Sequence, residues 1–174
     1  IGEEITKIGQ FQFPRVSCNT LEILSKNMTT IGSYSFYHIS AKEIIIHEGI
    51  EVIEDGAFEY SSASNIILPN TLKQLGNNAF AHDNYLTSIT IPNSVISIGD
   101  SAFNGCRNLT SITCNPITAP IIYSNTFYLV SSNGVLYYPK GSDYSSWMNT
   151  EQYYLGYYNW TSQEIEVPTE ETTE

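Results

Sequence analysis

The sequence predicts a repeat solenoid, in which one short unit is stacked on copies of itself. Three observations predict it: a recurring phrase with a fixed period, a second recurring apolar run, and prolines that follow several of those runs. The clearest copy of the phrase is Ile98-Gly-Asp-Ser-Ala-Phe103. Successive phenylalanines of the phrase lie 22 or 23 residues apart, and they are Phe13, Phe36, Phe58, Phe80 and Phe103. A fixed period of this length is typical of a stacked repeat.

The second recurring element is a β-branched run with the alternating apolar pattern of a strand. The runs are Leu21-Glu-Ile23, Ile44-Ile-Ile46, Ile66-Ile-Leu68, Ile89-Thr-Ile91 and Ile112-Thr-Cys114. Pro69 and Pro92 directly follow two of them, and proline ends a strand because it has no N–H to donate. We expect the strands to form a parallel sheet at about 4.8 Å spacing, with the phenylalanines in an internal column. Phe127 and the strand Leu136-Tyr-Tyr138-Pro139 predict a degenerate sixth unit.

The repeats are expected to span residues 1–139, followed by a C-terminal cap over residues 140–167. This segment contains seven aromatic residues, namely Tyr144, Trp147, Tyr153, Tyr154, Tyr157, Tyr158 and Trp160. An atypical end unit of this kind covers the last open layer of a solenoid and its strand edge. Residues 168–174 are acidic and lack apolar side chains after Pro168, so we expect a disordered tail.

Composition and charge exclude several classes of protein. The net charge is −11 and no basic stripe is present, which argues against nucleic-acid binding. No apolar run approaches the roughly 18 residues of a transmembrane helix. Three cysteines are too few for a disulfide-stapled miniprotein, and the disulfide state of Cys106 and Cys114 stays open. Whether more repeats precede Ile1 is also open.

The stretch Ile98-Gly-Asp-Ser-Ala-Phe-Asn-Gly-Cys-Arg-Asn-Leu-Thr-Ser-Ile112 closely resembles the BspA-type leucine-rich repeat, and residues 86–95 match the rest of that pattern. The resemblance is strong over residues 31–115 and weaker over 8–30 and 121–140. Three units depart from the pattern where it has cysteine, with Ile39, Ser61 and Asp83. The resemblance implies a right-handed leucine-rich-repeat β/α superhelix with short 3₁₀ or helical turns. It also implies a secreted or surface-exposed bacterial protein that serves adhesion or protein binding.

No arrangement of residues points to catalysis or to a cofactor. The sequence lacks the nucleophile, phosphate-binding and zinc-protease motifs that carry such chemistry. His38 and His82 lie in related turns two layers apart, about 10 Å, which is too far for a shared metal ion. We interpret the acidic stretch that contains Glu48, Glu51, Glu54, Asp55 and Glu59 as a solvated turn face. The expectation is a protein that is not an enzyme and needs no cofactor or metal.

The strand pattern predicts a binding surface. If the flanking apolar residues point into the core, the middle residue of each run points outward. This outward row reads Glu22, Ile45, Ile67, Thr90, Thr113 and Tyr137. Six strands span about 25–30 Å, comparable with one side of a standard interface of roughly 800 Å². We predict that the row binds a protein or extracellular-matrix ligand, although Ile45 and Ile67 also satisfy plain sheet propensity.

Two alternatives of other classes stay open. Exposed faces of Trp147, Tyr157 and Trp160 would stack on a glycan, whereas burial of these rings would make them part of the cap. A structural spacer within a longer surface protein is the second alternative. The sequence identifies neither the ligand nor the oligomeric state.

Overall fold

Two kinds of strand alternate along most of the chain, and each kind pairs only with its own kind. The computed structural model describes residues 6–24 and 27–166. Longer strands carry the β-branched runs, and two-residue strands precede the glycine corner. The strands are β1 (Ser17–Ile23), β2 (Thr30–Ile31), β3 (Ser40–Ile46), β4 (Val52–Ile53), β5 (Asn65–Ile67), β6 (Gln74–Leu75), β7 (Ser88–Ile91), β8 (Ser97–Ile98), β9 (Ser111–Cys114), β10 (Val135–Pro139) and β11 (Thr161–Ile165). The chain is therefore a parallel β-solenoid of about six turns, which confirms the predicted fold class.

All strand pairs are parallel, and the register repeats the sequence period. The two-residue strands form one sheet, β2-β4-β6-β8. The longer strands form the sheets β1-β3-β5 and β7-β9-β10-β11. Ile31, Ile53, Leu75 and Ile98 lie in register at the corners, and Ile8 forms a bridge with Ile31. The weak first unit therefore stacks like the others.

The predicted phenylalanine column runs through the interior of the solenoid. Neighbouring rings from Phe13 to Phe127 stack with centroids 5.2–5.9 Å apart. Every ring from Phe36 to Phe127 is at most 1% exposed. Each ring thus buries both faces against its neighbours, which explains why the sequence keeps phenylalanine at this place.

The turns around the phenylalanines are not helical, because left-handed residues lie on both sides of them. Positive φ angles recur two residues before and two residues after the ring, in Phe11, Tyr34, Gly56, Asn78 and Ser101 and in Arg15, His38, Tyr60, His82, Gly105 and Leu129. A right-handed helix cannot pass through such residues. Within the described residues, the one 3₁₀ helix is Leu155–Tyr158.

At Gly32, Gly76 and Gly99 the corner glycine is explained by close approach of two turns rather than by a positive φ. A Cβ at Gly76 would lie 2.6 Å from the backbone nitrogen of Asp55 in the preceding turn. The third unit has Glu54 at this place, and its Oε2 accepts hydrogen bonds from the backbone N–H and hydroxyl of Ser33. Gly56 lies two positions further on, where φ is +63°.

The C-terminal segment continues the repeat rather than only covering it. The ring of Trp147 packs on Phe127 with centroids 5.4 Å apart, and β11 pairs with β10 in parallel. The indole N–H groups of Trp147 and Trp160 donate to the carbonyls of Pro120 and Ser131. The boundaries of the cap at 140–167 stay a prediction, and the expected tail at 168–174 lies outside the described residues.

Candidate functional site

The outward row of the longer strands lies on two neighbouring sheets, and we call this surface the sheet face. Glu22 lies opposite Ile45, and Ile45 lies opposite Ile67. Thr113 lies opposite Thr90 on one side and Tyr137 on the other. The inward neighbours are buried, namely Leu21, Ile44, Ile66, Ile89, Ile112 and Leu136. The predicted alternation is thus confirmed, while a role in binding stays a prediction.

The chemistry of the sheet face changes from one end to the other. Its first strand carries Glu22, whose Oε2 lies 4.0 Å from His47 Nε2. Its centre is apolar, because Ile67 is 45% exposed and Ile45 is half-buried. The following strands carry the hydroxyl groups of Thr90, Thr113 and Tyr137. A ligand of matching chemistry would place an apolar group at the centre and polar groups beside it.

A hollow opens beside Ile67, where the ladder of long strands is interrupted. β5 and β7 belong to different sheets, and a cavity of about 230 Å³ lies between them. Ile67 and Thr90 border it, together with the side chains of Asn65, Asn70 and Asn115. Amide groups around an apolar floor can hydrogen-bond a peptide main chain while one side chain enters the hollow.

Two of the three residues suggested for glycan stacking are buried, which corrects that expectation for them. Trp147 is 0% exposed and Trp160 is 5% exposed. Trp147 caps the phenylalanine column, and the Trp160 ring covers Gly134, where a Cβ would lie 2.4 Å from the indole. Both rings are core of the last turn, and their faces are not available to a sugar. Tyr157 is 50% exposed and packs edge-to-face against Tyr153 and Tyr158.

His38 and His82 are held apart by a third ring. The Tyr60 ring stacks between them, 4.6 Å from His38 and 4.5 Å from His82. Burial and the nearby Arg107 guanidinium lower the pKa of His82. Across residues 6–24 and 27–166, no group of three or more His, Cys, Asp or Glu side chains is arranged to hold a metal ion.

The acidic stretch connects neighbouring turns instead of forming a merely solvated face. Glu48 accepts hydrogen bonds from the backbone N–H groups of Asn70 and Thr71, at 2.9 and 3.0 Å. Asp55 Oδ1 accepts from the backbone N–H of Asn77 at 2.7 Å, and Glu51 lies 3.0 Å from the Lys73 ammonium. These carboxylates are already occupied by the following turn.

The cysteines are free thiols of the core or near it. Cys106 and Cys114 are buried, Cys18 is half-buried, and none of them forms a disulfide. Burial raises the pKa of both the Cys106 and the Cys114 thiol far above neutrality. Both therefore stay protonated, and a protonated thiol is neither a nucleophile nor a metal ligand.

An exposed apolar groove was not foreseen from the sequence. It contains Ile96, Ile117 and Ile121, which are 64%, 76% and 61% exposed. The sequence does contain a signal for this groove, namely a change from polar to apolar residues at equivalent positions of successive turns. Backbone N–H to carbonyl bonds connect Thr29, Glu51, Lys73, Ile96 and Ile121 in that order. Polar and charged residues occupy the first three places of this row and isoleucine the last two.

In the described ranges, no helix has the length and apolar character needed to cross a bilayer. No curated protein sequence matches the chain.

The crystal structure of the pneumococcal vaccine antigen PcpA is similar, with a TM-score of 0.53 and 17% identity. The match covers 89% of this chain and 39% of that one, so the chain spans about two fifths of that structure. At this identity the similarity is one of fold. A family model described as a BspA type leucine-rich repeat region matches residues 6–134 in six copies, and the chain therefore belongs to the BspA-type leucine-rich-repeat family.

Proposed function

We propose that this chain is a non-catalytic recognition module that binds a protein or extracellular-matrix ligand at a bacterial cell surface. Family membership supports a surface repeat protein. PcpA, a pneumococcal vaccine antigen, has a similar fold. A secreted or cell-surface location is part of this proposal.

The sheet face is the proposed binding surface. The observation that supports it best is a row that is in register within each sheet and has a 45%-exposed isoleucine at its centre, on strands whose other side is packed core. Ordering a ligand against a preformed sheet costs less conformational entropy than ordering both partners. Ile45 and Ile67 provide the apolar contact, and the hollow beside Ile67 accepts one side chain of the ligand. Thr90, Thr113 and Tyr137 provide hydrogen bonds, and Glu22 favours a basic group at the first strand.

Two further features favour recognition over catalysis. The buried thiols of Cys106 and Cys114 are protonated because burial raises their pKa values. In the acidic stretch, the carboxylates of Glu48, Glu51 and Asp55 are engaged with the next turn, and that of Glu54 with the preceding turn. These thiols and these four carboxylates are therefore not the free, positioned groups that acid-base or nucleophilic chemistry requires.

An array of extracellular-matrix proteins and glycans tests the proposal. It is probed with the wild-type chain and with the double variant Ile45→Asp/Ile67→Asp. Protein hits that the double variant loses would support the sheet face, because two carboxylates would replace its apolar centre. Tyr85→Asp is the matched control, since it introduces a carboxylate at a side chain that is 62% exposed and belongs to neither the sheet face nor the exposed apolar groove.

The array also separates the alternatives. Glycan hits that survive the double substitution but are lost in Tyr157→Ala would transfer recognition to the C-terminal tyrosines. No binding to any protein or glycan would contradict the recognition proposal and favour a structural spacer. Circular dichroism and urea unfolding of each variant establish that the fold persists, which we expect because both isoleucines point away from the core.

A further inference from the structure

The groove around Ile96, Ile117 and Ile121 is a second apolar surface, separate from the sheet face. We call it the isoleucine groove. It is lined by residues of two neighbouring turns, 93–96 and 116–119, together with Ile121. The cavity has a volume of about 510 Å³. A second cavity of about 330 Å³ shares Ala119 and Ile121 with it and extends toward Tyr154.

The groove arises because the sixth turn departs from the repeat. Pro116 and Pro120 interrupt the segment between β9 and Phe127, and their carbonyls accept hydrogen bonds from the Tyr144 hydroxyl and the Trp147 indole. Only an isolated bridge from Ser97 to Ile121 continues the sheet of short strands. Ile96 and Ile121, the last two residues of the row that begins with Thr29, therefore lie beside an open groove.

The exposure of these isoleucines is unusual for a surface without a partner. Three large aliphatic side chains, each more than 60% exposed, line or border one continuous groove. Contiguous apolar patches on monomers are typically limited to about 300–600 Å², and the largest is often functional. Single exposed isoleucines are ordinary, but three around one groove indicate an interaction surface.

The charge of the groove restricts its occupant. None of the nine residues that line the main cavity is charged, although the chain carries 18 acidic and 7 basic residues. The neighbouring charges in the same row, Glu51 and Lys73, form an ion pair with each other at 3.0 Å. A charged group placed against the isoleucines would lose hydration without gaining a partner. The occupant is therefore uncharged and apolar where it contacts the isoleucines.

Shape and size restrict the occupant further. A cavity of about 510 Å³ has room for a few side chains of a partner. Two concave grooves cannot fill each other. The groove extends along the chain direction of two turns, which suits an extended segment that inserts successive side chains.

We propose that the isoleucine groove binds an uncharged, apolar, extended segment of a partner protein. Two or three aliphatic or aromatic side chains of the segment pack on Ile96, Ile117 and Ile121. This surface is independent of the sheet face, and either surface can bind when the other is disrupted.

A phage-displayed library of random dodecapeptides tests the proposal. The library is first depleted on the triple variant Ile96→Ser/Ile117→Ser/Ile121→Ser and then selected on the wild-type chain. We expect enriched peptides with two or three large apolar residues and no charged residue among them. Synthetic versions should shift the methyl resonances of these three isoleucines in an NMR titration. Their affinity for Ile117→Ser/Ile121→Ser should fall by about tenfold or more, or ~1.4 kcal/mol.

Several results would overturn this assignment. They are the absence of enriched peptides after depletion, equal affinity for the triple variant, and enriched sequences with charged residues in contact with the groove. A further contradicting result would come from sedimentation velocity. If the wild-type chain formed a dimer and the triple variant did not, the occupant of the groove would be a second copy of the chain. Urea unfolding verifies that the variants fold. The single variant Ile117→Ser is also tested, because the Ile117 side chain is 76% exposed and its loss should affect stability little. The control Ile45→Asp/Ile67→Asp must retain peptide binding, so failure of the sheet face and failure of the groove are distinguishable.

Discussion

Two stacks of rings run along this solenoid, one inside and one outside, and they differ in what determines their residues. The phenylalanine column has centroids 5.2–5.9 Å apart and is buried throughout its middle. The outer stack, which we call the ring ladder, consists of His38, Tyr60 and His82 with centroids 4.5–4.6 Å apart. The inner stack uses one residue type, whereas the ladder mixes two and ends at Gly105, where a Cβ would lie 2.5 Å from the His82 ring.

The comparison teaches that burial, rather than stacking itself, restricts the residue type. An inner ring loses water on both faces and fills a space of fixed size, so any other side chain leaves a cavity or a clash. An outer ring lies on a left-handed residue, with φ of 58°, 59° and 62° in the ladder. Its stacking offsets the cost of that backbone conformation, and glycine, which has no such cost, serves equally well.

The largest expected effect comes from breaking the inner stack. Phe80→Ala removes a ring that contacts Phe58 and Phe103 and is 0% exposed. We expect a loss of about 3–5 kcal/mol in the free energy of unfolding, because the cavity lies between two turns and weakens both interfaces. Urea unfolding followed by circular dichroism measures it. Phe13→Ala is the control, since Phe13 stacks on one neighbour and is half-buried. An equal loss in both variants would contradict the role of burial.

The second effect is a pH dependence that originates inside the solenoid. Asp83 is buried, accepts a hydrogen bond from the Ser61 hydroxyl, and has its pKa raised from 3.8 to about 6 because burial disfavours the charged form. Since the folded pKa lies above the unfolded one, protonation stabilises the fold. This stabilisation is fully present below about pH 4 and is lost as the pH rises through about 6.

Asp83→Asn isolates this contribution from the other carboxylates. The amide keeps the size of the side chain and a partner for Ser61 while removing the charge. We expect the variant to be more stable than the wild type by on the order of 2–3 kcal/mol at pH 8, with the difference shrinking toward pH 4. Urea unfolding across this range measures it. Asp100→Asn is the control at a residue that is not buried, and a difference that stays constant with pH would contradict the assignment to Asp83.

The sequence predicted what is buried between turns and missed what depends on neighbouring loops. The places of Phe36, Ile44 and Ile89 were predictable because each contacts its own copy in the next turn, which imposes the same residue type at a fixed period. The left-handed rows were missed because Tyr34, Tyr60 and Ser101 share a backbone conformation but no side-chain chemistry.

The same reasoning explains the surface that was missed and the rings whose burial the sequence left open. The exposure of Ile117 depends on the path that Pro116 and Pro120 give to one irregular turn, and no other unit repeats that path. Trp147 lies 20 residues after Phe127, whereas the repeat period is 22 or 23 residues. The period therefore did not predict that Trp147 packs at the end of the phenylalanine column. The indole is buried because it packs on Phe127, a contact that is seen only in the folded structure.

A third effect tests whether an unsatisfied hydroxyl group beside the phenylalanine column destabilises the fold. Ser35 directly precedes Phe36 and is 0% exposed. Its hydroxyl group has no hydrogen-bond partner. Ala57, Ala79 and Ala102 occupy this place in other turns. An unsatisfied buried hydroxyl costs about 1–3 kcal/mol, so we expect Ser35→Ala to raise the free energy of unfolding by about 1 kcal/mol.

Thr126 is the matched control for Ser35. It occupies the same place in the sixth turn, but its hydroxyl donates to the Gly99 carbonyl at 3.1 Å and accepts from the Tyr123 N–H at 2.9 Å. Thr126→Ala should therefore destabilise the protein. Thermal and urea unfolding compare the two variants, and a change of the same sign in both would contradict the argument from hydrogen bonding.

The smallest effect comes from breaking the outer ladder, and it separates ring stacking from backbone strain. Tyr60→Ala removes the ring between His38 and His82 but keeps a Cβ on a left-handed residue, so we expect a loss of about 0.5–1.5 kcal/mol. Tyr60→Gly removes the same ring and also relieves the left-handed conformation, which costs a residue with a Cβ about 1–2 kcal/mol. Glycine should therefore restore most of the stability that alanine loses, as Gly105 does in the same row. Equal losses in the two variants, measured by urea unfolding, would mean that the ring alone stabilises the ladder and that its backbone conformation carries no cost.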